Sequence, residues 1–171
     1  MRNLELKFRC EDLDAVRDRA RAWGAHDAGV LEQYDAFFPA PMGRLKLRDF
    51  GNGTGELIAY RRPDAVEARG SDYVLSPTAD PVTLREALAF ALGSAGEVRK
   101  QRHLFLWRHT RIHLDEVRGL GSFVELETVI REQPETDAQR ELAAVVEALG
   151  LRPEDRIAPA YIDLIRARHS G

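Results

Sequence analysis

RLKLR, residues 44–48, places a cation at every second position and a leucine in each gap. Successive side chains of a β-strand point to opposite faces, so a strand here would carry Arg44, Lys46 and Arg48 on one face and both leucines on the other. Like charges held this close repel one another unless an anion lies near them. That anion could belong to a ligand or to an acidic neighbouring strand, or salt water alone could screen the charges.

The same two-residue period recurs along most of the chain. It predicts strands over residues 2–9, 29–38, 44–50, 56–62, 71–76, 98–109, 110–117 and 123–130. Helical spacing of apolar residues, with proline or glycine near the ends, predicts helices over residues 12–23, 81–92, 137–150 and 158–169. Turns such as GNGTG (51–55) join consecutive strands as hairpins. The sequence therefore predicts an α+β fold whose eight antiparallel strands can close into a barrel without an open edge.

The composition is that of an ordinary globular protein. The chain has 171 residues, 44% of them hydrophobic and 31% charged, and no linker divides it, so we expect a single domain over residues 1–171. The net charge of −3 argues against non-specific binding to nucleic acid polymers. The single Cys10 cannot form an internal disulfide, and no signal peptide or membrane-spanning run is visible. We therefore expect a cytoplasmic protein without membrane contact.

Ionisable groups, rather than serine or threonine, occupy the polar face of several predicted strands. RLKLR is wholly cationic and ELE (125–127) wholly anionic, whereas a solvated sheet face usually mixes the two signs. Carboxylates two residues apart can hold Mg²⁺ or Mn²⁺, and lysine and arginine bind phosphate oxygens. A site for a metal and a polyphosphate would explain the sorted charges, and a solvated charged face remains the alternative. His103, His109 and His113 do not have the spacing of metal ligands, so we expect them to pack or to lie at the surface.

Several of these strand motifs together resemble the CYTH superfamily, the triphosphate tunnel metalloenzymes. NLELKF (3–8) is similar to the N-terminal ExExK signature of that family, and GRLKLR (43–48) is similar to its basic LRxR-type strand. The segments RKQRHLFLW (99–107) and TRIHLDEVRGLGSFVELE (110–127) resemble the class IV adenylyl cyclase-like branch. AYIDLI (160–165) is similar to the C-terminal SYxxLL element. The resemblance implies an eight-stranded tunnel with charged side chains inside and helices packed outside.

The resemblance also implies roles for individual residues. Glu5, Glu125 and Glu127 match the acidic metal-binding positions, and together with Lys7 they match the catalytic centre. Basic and polar residues match positions that hold the triphosphate: Lys7, Arg44, Lys46, Arg48, Glu56, Arg62, Lys100, Arg102, Arg111 and Asp115. Arg61 is the alternative to Arg62 at its position. Tyr161 matches a closing contact from the last helix, or else packs in the core.

One position departs from the family signature. The first acid of ExExK is Asn3 in this chain. Asparagine still offers an oxygen ligand but removes one negative charge from the metal site. The departure therefore bears on the metal site and the reaction more than on the fold.

The resemblance implies a Mg²⁺- or Mn²⁺-dependent phosphohydrolase, active as a monomer or a homodimer. Its substrate would be inorganic triphosphate or a triphosphate-bearing small molecule, such as thiamine triphosphate or ATP. Class IV adenylyl cyclase activity, which converts ATP to cyclic AMP and pyrophosphate, uses the same phosphate contacts and stays open. A non-catalytic module for polyphosphate or a nucleotide is a third interpretation. The three glutamates count against it, because carboxylates beside an anion are unfavourable unless a metal intervenes.

Overall fold

The computed structural model describes residues 2–61, 69–131 and 133–169. The strands of these segments are β1 (Arg2–Arg9), β2 (His26–Phe38), β3 (Arg44–Asp49), β4 (Gly55–Arg61), β5 (Arg69–Thr78), β6 (Glu97–Trp107), β7 (Thr110–Val117) and β8 (Gly121–Ile130). The helices are α1 (Leu13–Ala22), α2 (Pro81–Leu92), α3 (Glu135–Ala148) and α4 (Tyr161–His169), with a short 3₁₀ helix at Pro153–Asp155.

The eight strands close into a barrel in the order β1-β5-β4-β3-β2-β6-β7-β8, and β8 pairs again with β1. Every pairing is antiparallel. Five pairings are hairpins between consecutive strands. The β1–β5, β1–β8 and β2–β6 pairings join segments distant in the sequence and complete the ring. The predicted closed antiparallel barrel is therefore confirmed.

The two faces of β3 separate as the alternation predicts. Leu47 is only 1% exposed and packs outside the barrel with Phe38, near Leu84 and Leu88 of α2. Lys46 and Arg48 line a cavity inside the barrel. The leucines of RLKLR thus lie under a helix, and Lys46 and Arg48 point inward.

Helices α1 and α3 cover the outer face of β1 and its neighbours. Leu4, Leu6 and Phe8 of β1 belong to the largest buried cluster, with Val16 of α1 and Leu142 of α3. The N-cap Asp12 accepts a hydrogen bond from the backbone N–H of Ala15, which fixes where α1 begins. This apolar outer layer allows the alternate, polar positions of the same strands to face inward.

Helix α4 closes one end of the barrel. Phe37, Val98, Val117 and Phe123 have the inward parity of their strands and lie near strand ends, where they pack with Tyr161 and its neighbours Ala160 and Ile162. The ring of Tyr161 lies 5.0 Å from that of Phe123, measured between centroids. Both interpretations of Tyr161 therefore hold, since it packs in this cluster and also lines the cavity.

The structure shifts several predicted boundaries. β2 begins at His26 rather than at residue 29, because a bulge around Gly29, at φ 89°, lets the strand continue. β6 ends at Trp107, so His109 lies in the β6–β7 turn and not on a strand. α4 begins at Tyr161 rather than at residue 158. Within the described segments, no helix has the length and apolar character needed to cross a membrane.

Candidate functional site

The inward faces of the strands enclose a cavity of about 270 Å³. Its charged and polar lining comes from residues on all eight strands: Asn3, Glu5, Lys7, Gln33, Asp35, Lys46, Arg48, Glu56, Tyr60, Tyr73, Lys100, Arg102, Arg111, His113, Glu125 and Glu127. Apolar side chains complete the wall, among them Leu31, Ile58, Leu75 and Leu104. The closed barrel therefore brings most of the predicted site residues to one enclosed space.

Two cations of RLKLR pair with a carboxylate on the neighbouring strand. Asp35 of β2 lies directly opposite Arg48 of β3 in the strand register. Arg48 donates from Nε and Nη2 to the two oxygens of Asp35 at 2.7 and 2.8 Å, and Lys46 Nζ donates to Oδ2 at 2.7 Å. A carboxylate on the neighbouring strand thus offsets part of the charge of the cationic strip. We call Lys46, Arg48 and Asp35 the first clamp.

A second group of the same kind joins β6 and β7. Arg102 lies opposite Asp115 and donates to both of its oxygens at 2.6 Å, while Lys100 Nζ donates to Oδ2 at 3.2 Å. The Tyr161 hydroxyl donates to the same Oδ2 at 2.9 Å. Arg102 Nη2 also reaches Glu125 Oε2 at 2.8 Å. We call Lys100, Arg102 and Asp115 the second clamp, which is tied to both α4 and β8.

Two of the predicted metal ligands lie together with a histidine that the sequence analysis did not select. One ligand atom from each of His113, Glu125 and Glu127 lies within 4.8 Å of the others. The Nδ1 atom of His113 is buried and makes no hydrogen bond in the described structure. Its nearest carboxylate oxygen, Glu125 Oε2, is 3.9 Å away. His113 is buried, in line with one of its two expected positions, and its ring also lines the cavity beside two carboxylates.

Strand β1 places the N-terminal signature beside this cluster. Glu5 and Lys7 lie directly opposite Glu127 and Glu125 in the β1–β8 register. Lys7 Nζ is 3.5 Å from Glu125 Oε1, donates to the Pro159 carbonyl at 3.3 Å and lies 4.1 Å from the centroid of the Tyr161 ring. Glu5 lines the same cavity but is not one of the three residues whose ligand atoms cluster.

Asn3, which replaces the first acid of the signature, is also inside the barrel. It is 3% exposed, and its Oδ1 atom makes no hydrogen bond among the described residues. A buried carbonyl oxygen without a donor is costly, and such an atom is suited to a cation. The arrangement therefore fits a divalent ion near Glu125 and Glu127, with oxygen donors available on β1.

The remaining predicted residues have varied positions. Arg111 Nη1 lies 3.7 Å from Glu127 Oε2, and Glu56 lines the cavity opposite Arg48 in the β3–β4 register. Arg44 is not part of the lining; its Nη2 pairs with Asp163 of α4 at 2.8 Å. Arg61 is exposed, with Nη2 3.7 Å from the sulfur of Met42 on the surface. Arg62 lies outside the described residues.

Burial and neighbouring charges shift the pKa values of the clamps. Burial and the adjacent Arg48 lower the pKa of Lys46 to about 8. Burial alone would raise the pKa of Asp35, but Arg48 and Lys46 hold it far below its ordinary value. Burial would likewise raise the pKa of Asp115, and Arg102 keeps it low. Both aspartates are therefore ionised at neutral pH, whereas Lys46 loses its proton within an accessible pH range.

The acidic cluster is also ionised. Burial opposes the charge of Glu125, but Lys7 and the other cations nearby hold its pKa well below the ordinary value. Burial and the nearby Arg102 lower the pKa of His113, so its imidazole is neutral at pH 7 and can offer a lone pair. Burial and the Asp115 carboxylate raise the pKa of Tyr161 well above 10, which keeps its hydroxyl a donor.

Positive and negative charges of the side chains around the cavity nearly balance. The basic residues of the described lining are Lys7, Lys46, Arg48, Lys100, Arg102 and Arg111. The acidic ones are Glu5, Asp35, Glu56, Glu125 and Glu127, and Asp115 contacts the cations from just beyond the lining. A divalent ion would neutralise part of the acidic set and leave the cations in excess, which favours a polyanion beside the metal.

Sequence reasoning missed five polar residues of the described lining: Gln33, Asp35, Tyr60, Tyr73 and His113. The predicted β2 already placed Gln33 and Asp35 on one face by parity. Nothing in the sequence showed that this face would be the inner one, since the other side chains on the same face of β2 are mostly apolar. His113 has the parity of Arg111 and Asp115, and that shared parity was the available signal.

A closed antiparallel barrel that encloses clustered cations and carboxylates defines a class of β-barrels with a charged internal tunnel. Comparison with known protein families then identifies the family. The CYTH domain model matches residues 1–161, and the chain belongs to this family. No curated protein sequence matches the chain. The recognition made from the strand motifs is thus confirmed.

Solved structures show the same fold. The PH1012 protein of Pyrococcus horikoshii OT3 matches with a TM-score of 0.83 and 25% identity over 95% of this chain and 98% of its own. A protein from Vibrio parahaemolyticus, described as a candidate adenylate cyclase, matches with a TM-score of 0.78 and 19% identity over 96% of this chain and 97% of its own. HpAC1 from Hippeastrum, described as having a dominant triphosphatase activity, matches with a TM-score of 0.70 and 15% identity over 98% of this chain and 95% of its own.

Proposed function

We propose that this protein is a divalent-metal-dependent phosphohydrolase that acts on inorganic triphosphate or on a small molecule bearing a triphosphate. The observation that carries the proposal is one enclosed cavity that combines clustered cations with Glu125, Glu127 and the neutral ring of His113. Cations alone would suit a simple anion binder. Carboxylates ionised beside them have a use only when a metal intervenes.

The residues present fit Mg²⁺ or Mn²⁺. Glu125 and Glu127 would hold the ion, with Glu5 and the free oxygen of Asn3 close by on β1. Carboxylate oxygens are the ligands that both ions prefer, and an imidazole nitrogen is better suited to Mn²⁺ than to Mg²⁺. When bound, the metal would polarise a phosphoryl oxygen and offset the charge that develops there.

The cations would hold the polyphosphate. Arg48, Arg102 and Arg111 present guanidinium groups to the cavity from three different strands. Lys7, Lys46 and Lys100 lie among them. Asp115 accepts hydrogen bonds from Arg102 and orients it, and Glu56 lies opposite Arg48 in the register. Cations fixed in a partly dry cavity stabilise charge on transferring phosphoryl groups without reorganisation. We place Lys7 beside the reacting phosphate, because it contacts Glu125. Arg44 and Arg62 are proposed as further substrate-binding residues.

Adenylyl cyclase activity is the second candidate. Part of the cavity wall is apolar and aromatic, with Ile58 and Tyr60 of β4 opposite Leu75 and Tyr73 of β5. Such a wall can pack against an organic group attached to the triphosphate. The two reactions differ in the nucleophile, which is water in hydrolysis and the ribose 3′-hydroxyl in cyclisation. A binding module without catalysis would have the same cavity.

The test is an incubation with inorganic triphosphate, thiamine triphosphate or ATP, each with Mg²⁺ or Mn²⁺. Orthophosphate, pyrophosphate and cyclic AMP are measured together in every reaction. Metal-dependent release of orthophosphate supports the hydrolase. Cyclic AMP with equal pyrophosphate from ATP supports the cyclase, and saturable binding without any product supports the binding module. Turnover that persists after complete chelation of divalent ions contradicts the metal mechanism.

A further inference from the structure

The two clamps have the same plan. Each contains a Lys-x-Arg segment on one strand, Lys46 to Arg48 on β3 and Lys100 to Arg102 on β6. In each, the arginine lies directly opposite an aspartate on the adjacent strand and donates to both of its oxygens, and the lysine adds a third hydrogen bond. The cavity therefore has two carboxylates, each placed where a phosphate could bind the same donors.

The clamps differ in what else holds them. Asp115 is completely buried and accepts a further hydrogen bond from Tyr161, and Arg102 is shared with Glu125. The side chains of Lys100 and Arg102 are only 4% and 5% exposed. Those of Lys46 and Arg48 are 16% and 13% exposed. The first clamp therefore faces the open part of the cavity. The second clamp is held by further contacts at the end of the barrel that α4 covers.

This difference has an electrostatic consequence for the ligand. A phosphate that approaches Lys46 and Arg48 meets donors already used by Asp35 and a negative charge within a few ångströms. In a partly buried site, the repulsion between two such charges lowers the affinity for phosphate more than tenfold. A divalent ion at Glu125 and Glu127 would bring positive charge into the same cavity and offset part of this repulsion.

Resting on the proposed function, we propose that Asp35 is a specificity-determining residue. Its carboxylate occupies the donors of the first clamp in place of phosphate, so that polyphosphate binds tightly only together with a divalent ion. Asp115, although it makes the same pairs, has no such effect, because it belongs to the packing around Tyr161. The protein thereby rejects free phosphates that carry no metal.

The test compares Asp35→Asn with the matched control Asp115→Asn by isothermal titration calorimetry. The probe is inorganic triphosphate, first with excess chelator and then with Mn²⁺. Asparagine keeps the shape and one acceptor oxygen but removes the charge. In chelator, Asp35→Asn should bind triphosphate at least tenfold more tightly than the parent protein, which corresponds to about 1.4 kcal/mol. The increase in triphosphate affinity that Mn²⁺ confers should be correspondingly smaller in Asp35→Asn. Asp115→Asn should bind triphosphate in chelator no more tightly than the parent protein.

Circular dichroism establishes that each variant is folded. If Asp35→Asn does not fold, the same change is made in a Lys46→Gln background, where one cation fewer repels Arg48. The comparison is then with Lys46→Gln alone, and tighter metal-free binding is again expected.

Unchanged or weaker metal-free binding by Asp35→Asn overturns the inference, and so does an equal gain in Asp115→Asn. These results leave the proposed function standing if the parent protein binds triphosphate with Mn²⁺. If the parent protein binds triphosphate under neither condition, the proposed function itself fails.

Discussion

Raising the pH from 7 to 9.5 should remove the charge of Lys46 from the empty cavity. Its pKa is about 8 in the folded protein, because burial and Arg48 disfavour the ammonium. About nine tenths of Lys46 is charged at pH 7 and only about 3% at pH 9.5. A bound phosphate would favour the ammonium and return the pKa toward its ordinary value of 10.5. Affinity for triphosphate should then fall about 30-fold across this range, equivalent to about 2 kcal/mol.

The measurement is a series of calorimetric titrations with inorganic triphosphate from pH 7 to 9.5, in chelator to avoid metal hydroxides. Lys46→Arg is the control, because its guanidinium stays protonated throughout. Burial and Arg102 also lower the pKa of Lys100, but Lys100 is present in both proteins, so any change in its charge is common to the two and cancels in the comparison. If the parent protein and Lys46→Arg lose affinity in parallel, Lys46 does not contact the phosphate.

The stability of the empty protein should depend on pH in the opposite sense. The folded pKa of Lys46 lies below that of the unfolded chain, so the unfolded state binds the proton more tightly between pH 8 and 10.5. The cost of the buried ammonium is therefore complete below about pH 8 and is relieved as the pH rises. Thermal unfolding without ligand should show the parent protein gaining stability relative to Lys46→Arg over this range.

Three further substitutions test the metal and phosphate contacts. Glu127→Gln keeps shape and one oxygen but loses the charge, so metal-dependent turnover should stop while triphosphate still binds; turnover equal to that of the parent would refute the metal assignment. Arg48→Ala should weaken triphosphate binding by about 2–5 kcal/mol in calorimetry. It should also lower the thermal stability of the empty protein, because Asp35 is left buried with only Lys46; unchanged stability would show that this pair is not structural. Asn3→Asp should tighten Mn²⁺ binding at least several-fold in a metal titration, and unchanged affinity would place the ion away from β1.

Arg48 shows how the structure changes an expectation drawn from sequence. Three like charges on one strand suggest that removal of any of them relieves repulsion. Asp35 reverses that conclusion for the empty protein, because it binds two of the cations from the next strand. Arg44 is balanced separately by Asp163 of α4.

The local alternation of side chains determined the faces of the strands. Because a strand repeats every two residues, RLKLR and ELE show without any structure that their charges share one face and their leucines the other. The alternation left open whether the charged face points inward or to solvent, and the resemblance to the CYTH family implied the inward direction. The eight-strand barrel, the inward cations and the paired glutamates could therefore be predicted, and the order of motifs identified the CYTH family.

Only the tertiary structure decided which charges meet. Asp35 reaches Arg48 because β2 and β3 pair in one register, and His113 reaches Glu125 because β7 and β8 pair in another. Closure of the ring depends on β1 with β8 and β2 with β6, strands far apart in the chain. A shift of one residue in any register would exchange the inner and outer faces, so register is fixed by the packing of the whole barrel and not by a local pattern. For the same reason the sequence revealed the ionisable residues, whereas the fold selected which of them are paired within the protein and which face the cavity.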